Sequence, residues 1–116
     1  VVVSAARRDE ITHVLDVAGL ADCFHGIISA EDVQRTKPDP EGYLKGLALL
    51  GLPAVNCVAV EDSLPGMRAA RAVWMRVAMR TTAHGHDERS AESPDVLWTH
   101  FEHRIPEELP WRSTSS

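Results

Sequence analysis

At 116 residues the chain has the size of one domain, and 44% hydrophobic residues allow a core of modest size. A formal net charge of −5, a pI near 5.6 and a single adjacent basic pair, Arg7-Arg8, argue against nucleic acid as a partner. No apolar stretch approaches the roughly 18 residues that cross a bilayer and no leader pattern appears, so the expected setting is cytoplasmic, with no membrane partner.

The chain lacks an initiator Met, and Val1-Val2-Val3 reads as a core strand that begins at the first residue, so the sequence need not be a whole domain. Ser4 is the first polar residue after that strand. In the helix that follows, Ile11, Val14, Leu15 and Ala18 recur at i, i+3, i+4 and i+7, and Gly19 stands where a left-handed terminal residue is wanted. Ile27-Ile28, between Gly26 and Ser29, is a second brief strand. Asp39-Pro40 supplies an N-cap and a first-turn proline to a helix carrying Tyr43, Leu44, Leu47, Ala48 and Leu50 and closed by Gly51.

Cys57 to Val60 forms the next strand. Leu64 to Val73 is helical with Met67 and Ala70 inward, and Met75 to Met79 alternates as a further strand. The order β-α-β-α-β-α-β predicts a mainly parallel sheet covered on both faces. Thr81 to Pro94 reads as a loop, Val96-Leu97-Trp98 as an edge strand, Pro106 to Leu109 as a short turn and residues 113–116 as a disordered tail, which gives one domain over 1–112. Cys23 and Cys57 are too few for a disulfide scaffold or zinc knuckle and are expected as reduced core thiols.

Three polar features fall at or after strand ends: Ser4, then Lys37 in Lys37-Pro38-Asp39-Pro40, then Glu61-Asp62 in Val58-Ala59-Val60-Glu61-Asp62-Ser63-Leu64-Pro65-Gly66. A hydroxyl can bond a phosphate oxygen, an ammonium can neutralise its charge, and adjacent carboxylates at a strand end suit Mg²⁺, which binds through one or two carboxylates plus substrate phosphate. Each residue has a plainer reading: Ser4 as the N-cap of the helix near Arg7, Lys37 as a solvated loop lysine, and the acidic pair as a helix start. Their order and spacing together favour a single phosphoryl-transfer site. His84-Gly85-His86-Asp87 lies in the loop without a second cluster at metal spacing, and His100 and His103 are equally poor ligands. Trp98 and Phe101 read as packing residues, and Trp111 as a core cover or an association surface.

These motifs resemble the haloacid dehalogenase superfamily, in its phosphatase and phosphomutase branch. Val1 to Ala5 is similar to the second family motif, Lys37 to Leu44 to the third, and Val58 to Ala70 to the fourth, while Leu15 to Phe24 resembles a helix end that leads to a buried aromatic. The resemblance runs from Val1 to about Met79 and continues weakly through Asp95-Val96-Leu97. It implies an α/β, Rossmann-like three-layer core with a mainly parallel sheet. It also implies a Mg²⁺-dependent phosphatase or phosphomutase that acts on a small phosphorylated metabolite through an aspartyl-phosphate.

Residue by residue, Ser4 with the Ala5 amide would contact the phosphoryl group. Lys37 would hold the phosphate and the attacking aspartate in register, Asp62 would bind Mg²⁺, and Glu61 would do so directly or through water. The Glu-Asp-Ser form resembles the phosphatases rather than the metal-free dehalogenases, which resemble Ser-Asn at this point. Two departures stand out. The two aspartates that serve the family as nucleophile and acid/base, and the cap after them, have no counterpart in these 116 residues, and Trp74 stands where the family has glycine. The chain therefore reads as the C-terminal part of an incomplete core. It is expected to be inactive alone and prone to self-association through an exposed sheet edge. The alternative is a non-catalytic remnant that serves as a binding or dimerisation module.

Overall fold

The structure, a computed structural model, describes residues 1–80 and 94–98. Its elements follow the expected alternation: β1 (Val2–Val3), α1 (Arg8–Ala18), β2 (Ile27–Ile28), α2 (Glu41–Leu50), β3 (Val58–Glu61), α3 (Leu64–Ala72), β4 (Arg76–Arg80) and β5 (Val96–Trp98). Short 3-10 turns at Ala21–Cys23, Ala30–Asp32 and Ala54–Asn56 connect them. Gly19 and Gly51 end their helices at φ of 70° and 66°, and each N–H returns to a helix carbonyl. Pro40, not Asp39, is the N-cap of α2, so both residues lie one step earlier than expected; from just outside the helix the Asp39 carboxylate still accepts the Glu41 N–H at 3.0 Å.

Among the described residues all strand pairing is parallel, yet the strands form two sheets rather than one: β1 with β2, and β3-β4-β5. Helix α2 lies against β1 and β2. It can approach closely because Gly42 and Gly46 carry no side chain, and a Cβ there would meet the Val3 methyl groups at 2.9 and 3.1 Å. Helix α3 packs on β3 and β4, and Tyr43, Ala59, Met67, Ala69, Ala70, Met75, Val77 and Met79 form the core. Met67 and Ala70 point inward as their spacing requires.

Between β1 and β3 lies an apolar groove of about 350 Å³, lined by Val1 to Val3, Val58 to Val60, and Tyr43, Leu47 and Leu50 of α2. Alternation along β3 places Ala59 and Glu61 in the core, while Val58 and Val60 face outward and Val60 is 45% exposed. Among the described residues, then, the sheets are not covered on both faces as expected. Likewise only Ile11 of the α1 stripe is buried; Val14 is 62% exposed, and Phe24, the expected buried aromatic, is exposed too. Cys23 sits on the 3-10 turn beyond this uncovered helix and is exposed, so it is not a core thiol, whereas Cys57 is half-buried just before β3. The readings of 81–93, of the histidines at 84, 86, 100 and 103, of Phe101 and Trp111, and of the 106–109 turn and terminal tail lie outside the described residues.

Trp74 adopts φ of 67°, the left-handed region, and is 83% exposed. An L-residue there costs about 1–2 kcal/mol, whereas glycine pays only its greater freedom in the unfolded chain, roughly 0.5–1 kcal/mol. Because little of the ring is buried, Trp74→Gly is expected to stabilise the fold by up to about 1 kcal/mol in urea denaturation. A loss of stability would mean that the indole makes contacts that outweigh the strain.

Candidate active site

Each site residue is set by a strand end and a local turn. Ser4 follows β1, its N–H donating to the Ile28 carbonyl at 3.0 Å, and its Oγ accepts the Ala6 N–H at 3.1 Å. That bond fixes the hydroxyl and leaves its proton for a ligand; it also means that Ser4 does not cap α1, whose N-cap is Arg7. The turn is held from below. Ala6 accepts the Ala30 N–H at 2.9 Å, and Arg8 donates from its guanidinium to Asp32 at 2.6 Å and from its backbone to Glu31 at 3.1 Å. The Asp32 carboxylate also accepts the N–H and hydroxyl of fully buried Ser29, both at 2.8 Å.

Those bonds hold the Asp32 carboxyl down to about 2. The Ser29 N–H contributes most, then the Ser29 hydroxyl, with burial opposing and Arg8 adding less. The Glu41 carboxyl is lowered as well, chiefly by the Gln34 N–H that it accepts at 2.9 Å. A carboxyl with a depressed folded value stabilises the fold above its unfolded value and loses that contribution as pH falls through the folded one. Stability is therefore expected to fall between about pH 4 and pH 2, and Asp32→Asn should flatten the slope. Urea midpoints measured across that range check it.

Lys37 leaves the loop before α2, where its peptide bond to Pro38 is cis. Its Nζ donates to the Val3 carbonyl at 3.0 Å and to Glu61 Oε1 at 2.5 Å, and lies 5.1 Å from the centre of the Tyr43 ring. An ammonium has three donors, so one remains for an anion. Glu61 ends β3 and is only 7% exposed. Its Oε1 also accepts the Tyr43 hydroxyl, and burial first, then the Glu61 charge, push that phenol above its ordinary range. Gly66, in the first turn of α3, makes room for the carboxylate, since a Cβ there would lie 2.0 Å from Glu61 Oε2. Ser63 caps α3, its Oγ accepting the Gly66 N–H at 3.2 Å, and Asp62 before it is exposed.

Ser4, Ala5, Lys37, Glu61 and Asp62 line one groove of about 480 Å³, together with Val3, Val60 and Ser63. All five residues singled out in the sequence thus come together across the gap between the two sheets. The acidic pair is an oxygen-only donor set that fits a hard cation, with Asp62 the more accessible member. Among the described residues no three of His, Cys, Asp and Glu gather as a metal cage. Sequence reasoning placed Tyr43 on an apolar helix face and missed its bond to Glu61, because helical spacing identifies a buried ring but not the partner of its hydroxyl.

The first 73 residues match the family model described as "haloacid dehalogenase-like hydrolase". Hexitol phosphatase B of Escherichia coli is 41% identical over 73 residues, which are 63% of this chain and 33% of that protein. Validoxylamine A 7'-phosphate phosphatase of Streptomyces hygroscopicus is 35% identical over 97 residues, 83% of this chain and 44% of the relative. The crystal structure of CbbY from Rhodobacter sphaeroides in complex with phosphate superposes with a TM-score of 0.60 at 32% identity, over 68% of this chain and 35% of that one. The chain thus spans less than half the length of these relatives. With the motif order, the parallel α/β architecture and a matched region that covers β1 through α3, the chain belongs to the haloacid dehalogenase-like hydrolases.

Proposed function

We propose that these residues form the phosphate-binding and cation-binding half of a phosphoryl-transfer site, that of a phosphatase or phosphomutase acting on a small phosphorylated metabolite in the cytoplasm. The observation that carries this reading is the convergence of Ser4, Ala5, Lys37, Glu61 and Asp62 on one groove. The names of two relatives as phosphatases and the phosphate bound to a third are in keeping with it.

In this reading the Ser4 hydroxyl, already accepting from Ala6, donates to a phosphoryl oxygen, and Lys37 donates its remaining N–H to another. Both interactions favour a transferring group whose negative charge is spread over its outer oxygens. Asp62, assisted by Glu61, would hold Mg²⁺, which when bound neutralises phosphate charge and orients it. The attacking group would be an aspartate that forms an aspartyl-phosphate. The 116 residues contain no Asp-x-Asp pair, and the carboxylates that line the groove among the described residues, Glu61 and Asp62, are the ones assigned to the cation, so the chain is expected to be inactive by itself. The apolar groove beside β1 and outward-facing Val58 and Val60 favour self-association of the isolated chain.

A phosphatase assay with a broad phosphate ester, with and without Mg²⁺, tests the assignment. No turnover above background is expected from the 116 residues. In any longer polypeptide that adds the nucleophile, Asp62→Asn is expected to lower Mg²⁺-dependent phosphate release by about 100-fold or more. Activity that survives Asp62→Asn overturns the site.

A further inference from the structure

We infer that Tyr43 and Glu61 form a buried clamp that fixes the Lys37 ammonium, which makes Tyr43 a positioning residue acting through Glu61; its functional meaning rests on Lys37 being the phosphate ligand proposed above. Glu61 Oε1 receives two donors at once, the Tyr43 hydroxyl and Lys37 Nζ. A third bond, from Nζ to the Val3 carbonyl, ties the same ammonium to the end of β1. These contacts span the gap between the two sheets, since Val3 belongs to one and Glu61 to the other.

A lysine side chain has four rotatable carbons and loses that freedom only where several partners converge. Here they do: two acceptors take two of its three protons, and the Tyr43 ring lies under the charge. The Tyr43 hydroxyl supplies what Lys37 cannot, a second donor that prevents the carboxylate from rotating away. Gly66 removes the obstacle on the other side of Glu61. Helix α2 thereby sets the ammonium without touching the phosphate.

Nitrogen-15 NMR of the lysine ammonium groups reads the clamp without any ligand. A held Lys37 is expected to give a slowly exchanging Nζ–H signal, identified by its loss in Lys37→Met. In Tyr43→Phe, which keeps the ring, that signal is expected to exchange roughly tenfold faster, as removal of one charge-assisted contact implies, and Glu61→Gln should accelerate it further. Exchange in Tyr43→Phe within twofold of the parent, or no protected Lys37 signal in the parent, overturns the inference.

Tyr43 is the only tyrosine in the chain. Fluorotyrosine labelling therefore gives one fluorine signal, which Glu61→Gln should shift; an unmoved signal also overturns the clamp, and this test needs no substitution at Tyr43. Titration with inorganic phosphate separates the two claims. A protected Lys37 without phosphate binding leaves the clamp standing and rejects the functional reading, whereas binding that weakens about tenfold in Tyr43→Phe supports both.

Discussion

Gly66→Ala is expected to destabilise the fold by about 2–3 kcal/mol and to displace Glu61 from Lys37. On helix propensity alone the substitution should gain about 1 kcal/mol, because Gly66 lies within α3 and alanine is the better helix former. The geometry reverses that sign. The new methyl would lie 2.0 Å from Glu61 Oε2 and 2.2 Å from its Cδ, far inside contact distance. A solvated glutamate would swing aside at little cost, but this one is buried and held by Lys37 and Tyr43. Moving it leaves a buried ammonium contact and a buried hydroxyl without their acceptor. Urea denaturation of the two proteins checks the value, and adding Glu61→Ala should remove most of the methyl's effect because the two residues touch. A Gly66→Ala protein as stable as its parent would mean that the carboxylate does not rest on α3.

Lys37→Met is expected to cost about 2–3 kcal/mol, since it leaves Glu61 buried without its countercharge. The full penalty for breaking a buried pair is discounted here because the Lys37 side chain keeps 21% of its exposure. The double variant Lys37→Met with Glu61→Gln is expected to recover about 1–2 kcal/mol, because the stranded charge is then gone while the Tyr43 hydroxyl keeps an acceptor. Thermal and urea unfolding of the three variants measure this asymmetry. Equal stability of the single and double variants would place Glu61 in contact with solvent or with another cation.

Much of this was legible in the sequence because it is local. Periodicity located the three helices and the strands to within a residue or so, and the chain order of Ser4, Lys37 and Glu61-Asp62 announced the groove that they line. Trp74 stands where the resemblance expects glycine, and it occupies the left-handed position that glycine would suit. The division into two sheets was not legible, since pairing between distant strands leaves no mark in either strand's own pattern. Nor was the exposure of Val14, Phe24 and Cys23, because apolar spacing says which face seeks cover but not whether cover is present. The partners of Glu61 were hidden for a related reason. Adjacent acids read as a pair of equals, and only the fold separates them into one buried against Lys37 and Tyr43 and one open to the groove.

On the proposed reading the groove is expected to take phosphate and a hard cation together. Calorimetric titration of the chain with Mg²⁺, with and without inorganic phosphate, tests it most directly. Each ligand is expected to tighten the other's binding, by the same factor as linkage requires, and Asp62→Asn is expected to abolish the effect of Mg²⁺ while phosphate binding still depends on Lys37. Mg²⁺ binding that is indifferent to both phosphate and Asp62→Asn would rule out a shared phosphate and cation site in this groove.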